Sequence, residues 1–236
     1  RTPTRVQGVS FSSVGTHLGI VLPGGTALFT TRRGGVSEGP FASLNLGLWT
    51  DDEPGHVRKN RARVQRIGGG RLAQAHQVHG TTVVEADPDV VPEADGHVTA
   101  QAGVAPIVLV ADCVPVALVA PEGVAMLHAG WRGLAGGILA EGVARLRGLG
   151  AGRIAAAIGP GAGPCCYEVG PEVHAALGTS GRTVDLKAIA RTQLEDAGVA
   201  EVHDAGLCTM CDPEAFFSHR RDGGVTGRQA GVVWRS

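Results

Sequence analysis

A chain of 236 residues is long enough for one large domain or two small ones with a substantial core, and no linker-like stretch divides it, so a single domain over 1–236 is expected. Hydrophobic residues make up 43% and charged residues 18%, and glycine or charge interrupts every apolar run, which argues against a membrane-spanning helix. The net charge of -1 gives no electrostatic basis for a nucleic-acid or anionic-membrane partner.

Glycine is more than twice as common as the usual ~7%, at 37 residues without a repeat to explain it, so many glycines belong in turns. Lys59 and Lys187 are the only lysines; anion recognition therefore falls to arginine forks or backbone amides. Five cysteines, an odd number, with no signal-peptide pattern in the first residues, lead to the expectation of a cytoplasmic protein with free thiols.

Residues 4–31 alternate apolar and polar positions between Gly/Pro turns and predict an antiparallel meander. A glycine-punctuated loop, "TRRGGVSEGPFASLNLG", follows; long irregular segments of this kind often carry function. A helix is predicted from Asp52 as N-cap, with Val57, Val64 and Ile67 on its thin apolar stripe. Strands are predicted at "RLAQAHQV", "TTVVEA", "PIVLVA", "PVALVA" and "GVAMLHA", then a helix over 134–149. "RIAAAIG" reads as a strand, helices follow Pro171 and Asp185, and the tail predicts a strand at "AEVHDAG", a short helix at "PEAFFSHRR" and a strand at "RQAGVVWR". The irregular order of strands and helices favours a mixed α/β (α+β) sandwich with flanking helices over a doubly wound sheet. Neither a dinucleotide fingerprint nor a P-loop is present.

Polar residues interrupt the apolar strands at three places: Asp112 and Cys113 between two runs, His128 at the end of another, and His76 with His79 at a strand end. Each alone reads as structural, Cys113 as a small core residue above all. Together, two imidazoles and one thiolate form a donor set suited to zinc, with copper chemically possible, and three ligands leave a fourth position open. In "VAMLHAGWRGLAGGIL" the strand ends at His128 and a helix begins near Arg132, a guanidinium placed for phosphate or carboxylate. Trp131 is expected to pack as a core or rim aromatic. A second metal reading joins Cys208 and Cys211 of "CTMC" with Cys165 and Cys166, but adjacent cysteines fit one tetrahedron awkwardly and the reading is disfavoured.

The blocks "FTTRRGGVSEGPFASLNLG", "NRAR", "HQVHG", "ADCVPV", "HAGWRG", "IGPGAGPCCYEVG" and "CTMCDPEAFFSHRRDGGVTGRQAG" resemble, in order, those of the bacterial YfiH/YlmD family. That family has been described as polyphenol oxidase (laccase) domain, as peptidoglycan editing factor and as purine nucleoside phosphorylase. The resemblance covers nearly the whole chain and implies a single-domain α/β sandwich binding zinc through His79, Cys113 and His128. It further implies pocket roles for Arg32, Ser43, Asn45, Arg61, His76, Asp112 and Arg132, with Arg220 as a further candidate. The family's "GDD" appears here as "TDD" at Thr50 to Asp52.

What the resemblance implies first is zinc-dependent phosphorolysis of adenosine, inosine, guanosine or methylthioadenosine, with adenosine deamination. The deaminase signature H-x-E with P-C-x-x-C is absent, so Asp112 or His76 is expected as general acid. Hydrolytic editing of peptidoglycan precursors is the second reading. Copper-dependent phenol oxidation is third, because the nine histidines contain no H-x-H pair. The expected partners are a nucleoside and phosphate, without nucleic acid or membrane, and the chain is expected to be a monomer or weak homodimer.

Overall fold

The computed structural model describes residues 9–236. The meander expected over 4–31 forms as β1 (Ser12–Val14), β2 (His17–Leu22) and β3 (Gly25–Phe29); residues 4–8 of that expectation lie outside the described part. Then come α1 (Pro54–Gly68), β4 (Arg71–Ala73), β5 (Val83–Glu85), β6 (Gly96–Thr99), β7 (Val104–Val110), β8 (Val114–Ala120) and β9 (Gly123–Ala129). The rest is α2 (Trp131–Gly136), α3 (Ile138–Gly148), β10 (Ala155–Ile158), α4 (Pro171–Leu177), α5 (Leu186–Asp196), β11 (Glu201–Asp204) and β12 (Gln229–Arg235).

The strands form two six-stranded mixed sheets, in the orders β1-β2-β3-β12-β7-β4 and β11-β10-β8-β9-β6-β5. Most neighbours are antiparallel; β4–β7, β5–β6 and β10–β11 are parallel. Three apolar layers hold the sandwich together. Between the sheets lie Phe29, Val108, Val110, Ala117, Val119, Val124 and Met126. On the far side of the second sheet, Val116, Leu118, Ala125 and Leu127 pack against Leu134, Leu139, Val143 and Leu146 of the helices. On the outer face of the first sheet, Ile107, Leu109 and Val232 meet Leu44, Leu46 and Val64. Strands β7, β8 and β9 are covered on both faces, which is why they read as unbroken apolar runs and not as alternation. Among the described residues no helix is long and apolar enough to cross a membrane.

Several elements depart from expectation, each for a local reason. Glu53, not Asp52, caps α1: its Oε1 accepts the Gly55 N–H at 2.9 Å, while Asp52 Oδ2 accepts the Asn45 side-chain amide at 2.9 Å. Ile67 is exposed, and the buried polar residue of α1 is Asn60, whose amide meets Ser37 Oγ and the carbonyls of Ser43 and Asn45 at 2.9–3.1 Å. The helix expected over 134–149 starts earlier, at Trp131, and breaks at Gly137, whose φ of 91° suits glycine. The strand expected over 71–78 stops at Ala73. Beyond it the Gln77 side chain takes both Leu109 backbone groups, N–H and C=O, at 2.8 Å and replaces a strand ladder. No helix forms over 213–221, because the Gln229 amide occupies the Phe217 N–H and C=O at 2.8 and 3.0 Å, and Phe216 and Phe217 are both buried.

Candidate functional site

One end of the sandwich gathers the polar interruptions. There β7 of the first sheet ends, the chain crosses through 111–113 to start β8 of the second, and antiparallel β9 finishes. This places Cys113 beside His128, the penultimate residue of β9. His79 arrives from the loop after β4 in a left-handed conformation, φ 60°. The ligand atoms of His79, Cys113 and His128 all lie within 4.8 Å of one another, and the two rings meet edge-on with centroids 4.8 Å apart. Gly130 leaves room for this convergence: a Cβ there would lie 3.1 Å from both Cys113 Sγ and His79 Cδ2.

Asp95, immediately before β6 and fully buried, organises the trio. Its Oδ1 accepts from His128 Nδ1 at 2.7 Å and from the His79 N–H at 3.0 Å; its Oδ2 accepts the N–H groups of Val78 at 3.1 Å and Gly80 at 2.7 Å. One carboxylate thereby fixes the loop that carries His79 and turns the other face of the His128 ring toward Cys113. A carboxylate on the far nitrogen of a histidine is the support that metal-ligating imidazoles usually have. Sequence reading missed Asp95 because Asp-Gly signals a turn and nothing local marks the carboxylate as buried. Burial pushes its carboxyl up, but the His128 bond and the amide donors outweigh that and hold it below the usual carboxylate range.

The trio is itself polarised. Burial pushes the Cys113 thiol up, yet the His128 and His79 imidazoles bring it down to about 6. Burial likewise lowers His128, but the Cys113 thiolate and Asp95 raise it to about 9. Each charge supports the other, so the two opposite shifts favour a thiolate on Cys113 and an imidazolium on His128 in the absence of a metal. Two imidazoles and a thiolate, already close and carboxylate-supported, fit a tetrahedral metal ion with one position left for solvent or substrate.

The trio borders a cavity of about 390 Å³, lined also by Trp49, Thr50, His76, Gln77, Asp112, Trp131, Arg132, Tyr167, His219, Arg220 and Arg228. His76 packs on Trp49 with centroids 5.2 Å apart. The guanidinium of Arg132 lies over Trp131, 4.3 Å from the ring centroid, and that of Arg220 lies over Tyr167 at 5.1 Å. Asp112, with φ 90°, is engaged on both oxygens. Oδ1 accepts from Thr209 Oγ1 at 2.7 Å, and Oδ2 from Ser218 Oγ at 3.0 Å and the Arg220 N–H at 2.8 Å. The geometry makes it the anchor of the 209–220 segment and not a free acid.

Four expected pocket residues do not reach this cavity. Arg32 donates to the carbonyls of Ala42 and Pro213 at 2.8 and 3.0 Å, and Ser43 Oγ to the Arg32 carbonyl at 3.0 Å. Arg61 donates to the Leu46 carbonyl at 3.1 Å, and burial pushes its guanidinium down to about 10. Asn45 is wholly buried; its Oδ1 accepts the N–H groups of Gly47 and Arg228 at 3.0 and 2.8 Å, and its amide donates to Thr50 Oγ1 at 2.8 Å. These side chains brace the loop that delivers Trp49 and Thr50 to the cavity wall. Trp49, Gln77, Tyr167, His219 and Arg228 were missed by sequence reading, although Gln77, Tyr167, His219 and Arg228 lie inside the blocks that carry the family resemblance.

A two-sheet sandwich with an open His-Cys-His cluster at one end defines a class of candidate metalloprotein. The family described as multi-copper polyphenol oxidoreductase laccase matches residues 26–236, and the chain belongs to it. A purine nucleoside phosphorylase of Pseudomonas aeruginosa is 42% identical over 225 residues, 88% of this chain and 92% of that one. The purine nucleoside phosphorylase YfiH of Escherichia coli is 37% identical over 234 residues, covering 89% and 94%. The crystal structure of YlmD from Geobacillus stearothermophilus superposes with a TM-score of 0.88 at 36% identity, covering 97% of this chain and 99% of that one.

Proposed function

We propose that the protein is a zinc-dependent purine nucleoside phosphorylase acting on adenosine, inosine, guanosine or methylthioadenosine, and that the same centre deaminates adenosine. The observation that carries this reading is the convergence of His79, Cys113 and His128 on a cavity rimmed by aromatic rings and arginines. The substrate class comes from the relatives' names. The cavity volume of about 390 Å³ falls in the range of small-molecule sites.

In phosphorolysis a phosphate oxygen bonds to the ribose anomeric carbon as the carbon–nitrogen bond to the purine breaks. The bonding pair leaves with the base, which takes up a proton. Arg132 is the phosphate ligand in this reading. Arg220 and Arg228 already donate to the carbonyls of Glu168 and of Thr226 and Gly227, whereas the Arg132 guanidinium makes no hydrogen bond to the described residues. Trp49 and Tyr167 offer ring faces to the purine, and His76, on Trp49, gives the proton to the departing base. Asp112 positions the Arg220 segment. His79, Cys113 and His128 would hold the zinc, which would supply Lewis acidity to the site.

The donor set favours zinc over a multinuclear copper centre, since it offers one cysteine and two histidines in a single cluster. None of the five cysteines is paired in a disulfide, which suits a reducing cytoplasm. The reading needs a nucleoside and phosphate as partners, no nucleic acid or membrane, and a chain acting as a monomer or weak homodimer.

The test is incubation of zinc-loaded protein with inosine or adenosine and phosphate, following free base and ribose 1-phosphate. Turnover is expected, abolished by Cys113→Ala. Arg132→Ala should raise the KM for phosphate roughly tenfold or more, the usual worth of a charged hydrogen bond, with little change for the nucleoside. Absence of free base with every purine nucleoside refutes the proposal; phenol oxidation by copper-loaded protein would replace it with the oxidase reading.

A further inference from the structure

We propose a second metal site, separate from the His79 centre, in which Cys165, Cys166, Cys208 and Cys211 bind one soft divalent cation of the zinc class as a four-thiolate shell. The inference goes beyond the proposed function and does not depend on it. The four sulfurs lie within 4.8 Å of one another. Cys211 Sγ is 3.3 Å from Cys165 and 3.0 Å from Cys166, and those two are 3.6 Å apart. One sulfur meeting two partners that also meet each other is the arrangement of a coordination shell and not of paired disulfides. A zinc–sulfur bond of about 2.3 Å makes tetrahedral sulfur–sulfur edges of about 3.8 Å, so modest side-chain rotation accommodates the ion.

Adjacent cysteines, the objection from sequence, are reconciled by the backbone. The N–H groups of Cys166 and Tyr167 both donate to the Gly163 carbonyl, at 3.1 and 3.0 Å, and this tight turn brings the two sulfurs to one side. On the facing segment the Gly163 N–H donates to Cys208 Sγ at 3.2 Å, the kind of amide–sulfur bond that stabilises a thiolate. Positive charge backs the same segment. Lys187 Nζ, buried, donates to the Leu207 carbonyl at 2.8 Å, and Arg221 to the Thr209 carbonyl at 2.8 Å, which suits a site whose four thiolates exceed the charge of the cation.

An ion here would tie together two segments that have almost no regular structure of their own. Segment 163–167 carries Tyr167 to the cavity, and segment 208–211 carries Thr209, the donor to Asp112 Oδ1. The four-cysteine site is thus a staple for one wall of the cavity, with a structural, closed ligand set in contrast to the open His-Cys-His cluster.

The experiment uses Cys113→Ala protein, purified without oxygen, stripped of metal and reloaded with Co2+ alone. It should take up one Co2+ per chain with strong thiolate-to-cobalt charge-transfer absorption, lost when Cys211→Ser or Cys166→Ser is added, while the wild type takes two ions. The proposal is overturned if Cys113→Ala binds no cobalt, if its cobalt shows only nitrogen and oxygen ligation, or if the four cysteines are found as disulfides under these conditions.

Discussion

Replacing Asp95 by asparagine tests how the site is held. The carboxylate accepts four hydrogen bonds, two on each oxygen, from three consecutive backbone amides and from His128 Nδ1. Asparagine keeps one acceptor oxygen and presents an NH2 to the other two donors, so two charge-assisted bonds become donor–donor contacts in a fully buried place. At about 1.5–3 kcal/mol per bond to a charged group, the loss is about 3–6 kcal/mol of stability. The metal should suffer separately, because His128 loses the group that orients its ring and His79 the carboxylate that fixes its backbone. Loss of such a support typically costs 10–100-fold in affinity. Urea unfolding of the metal-free protein gives the first quantity and competition with a chromophoric chelator the second. A destabilisation below about 1 kcal/mol together with an affinity within about threefold of wild type would refute the organising role of Asp95.

Three further outcomes follow from the same geometry. Gly130→Ala has an ordinary backbone conformation to occupy, φ -74°, so the fold should persist, but its methyl meets Cys113 and His79 at 3.1 Å and metal affinity should fall about tenfold or more; unchanged affinity would mean the ligands move aside freely. Because the Cys113 thiolate and Asp95, against burial, raise His128 to about 9, its imidazolium must lose a proton when a metal binds between pH 7 and 9. Affinity should then rise about tenfold per pH unit toward pH 9 and flatten above it; calorimetry in buffers of different ionisation enthalpy should count one proton released, and a count near zero contradicts the pairing. His97 is buried with both ring nitrogens unpartnered, and burial lowers it to about 4. The folded state stays neutral while the unfolded chain takes up a proton below its ordinary pKa of 6.5. Stability should therefore hold above pH 6.5 and decline by about 3 kcal/mol as pH falls toward 4. In His97→Leu this decline should be smaller when unfolding is followed across that range; an identical acid limb would place the titration elsewhere.

The amino-acid sequence by itself determined the sandwich class, the meander, the central apolar strands, and the polar residues that break them. These follow from local rules: the period of apolar residues, glycine at turns, and chemistry-bearing side chains where an apolar run has no reason to stop. It also pointed to Cys113, His128 and the His76/His79 pair as a donor set before any geometry was available, since a donor set is a property of residue types; the resemblance to the family, not the residue types, chose His79. What only the tertiary structure decided is which side chains share a space. Arg32, Ser43, Asn45 and Arg61 sit in blocks as distinctive as the cavity residues, yet their hydrogen bonds run to groups of the 32–52 loop and to Pro213 and Arg228, and none of the four lines the cavity. Asp95 looks like a turn residue until β6 and β9 pair and bury it against His128. The adjacent cysteines looked unsuited to one site until a turn at Gly163 brought four sulfurs together from segments more than 40 residues apart. Such convergence depends on chain crossings between sheets and on long-range pairing, and neither leaves a periodic trace in the local sequence.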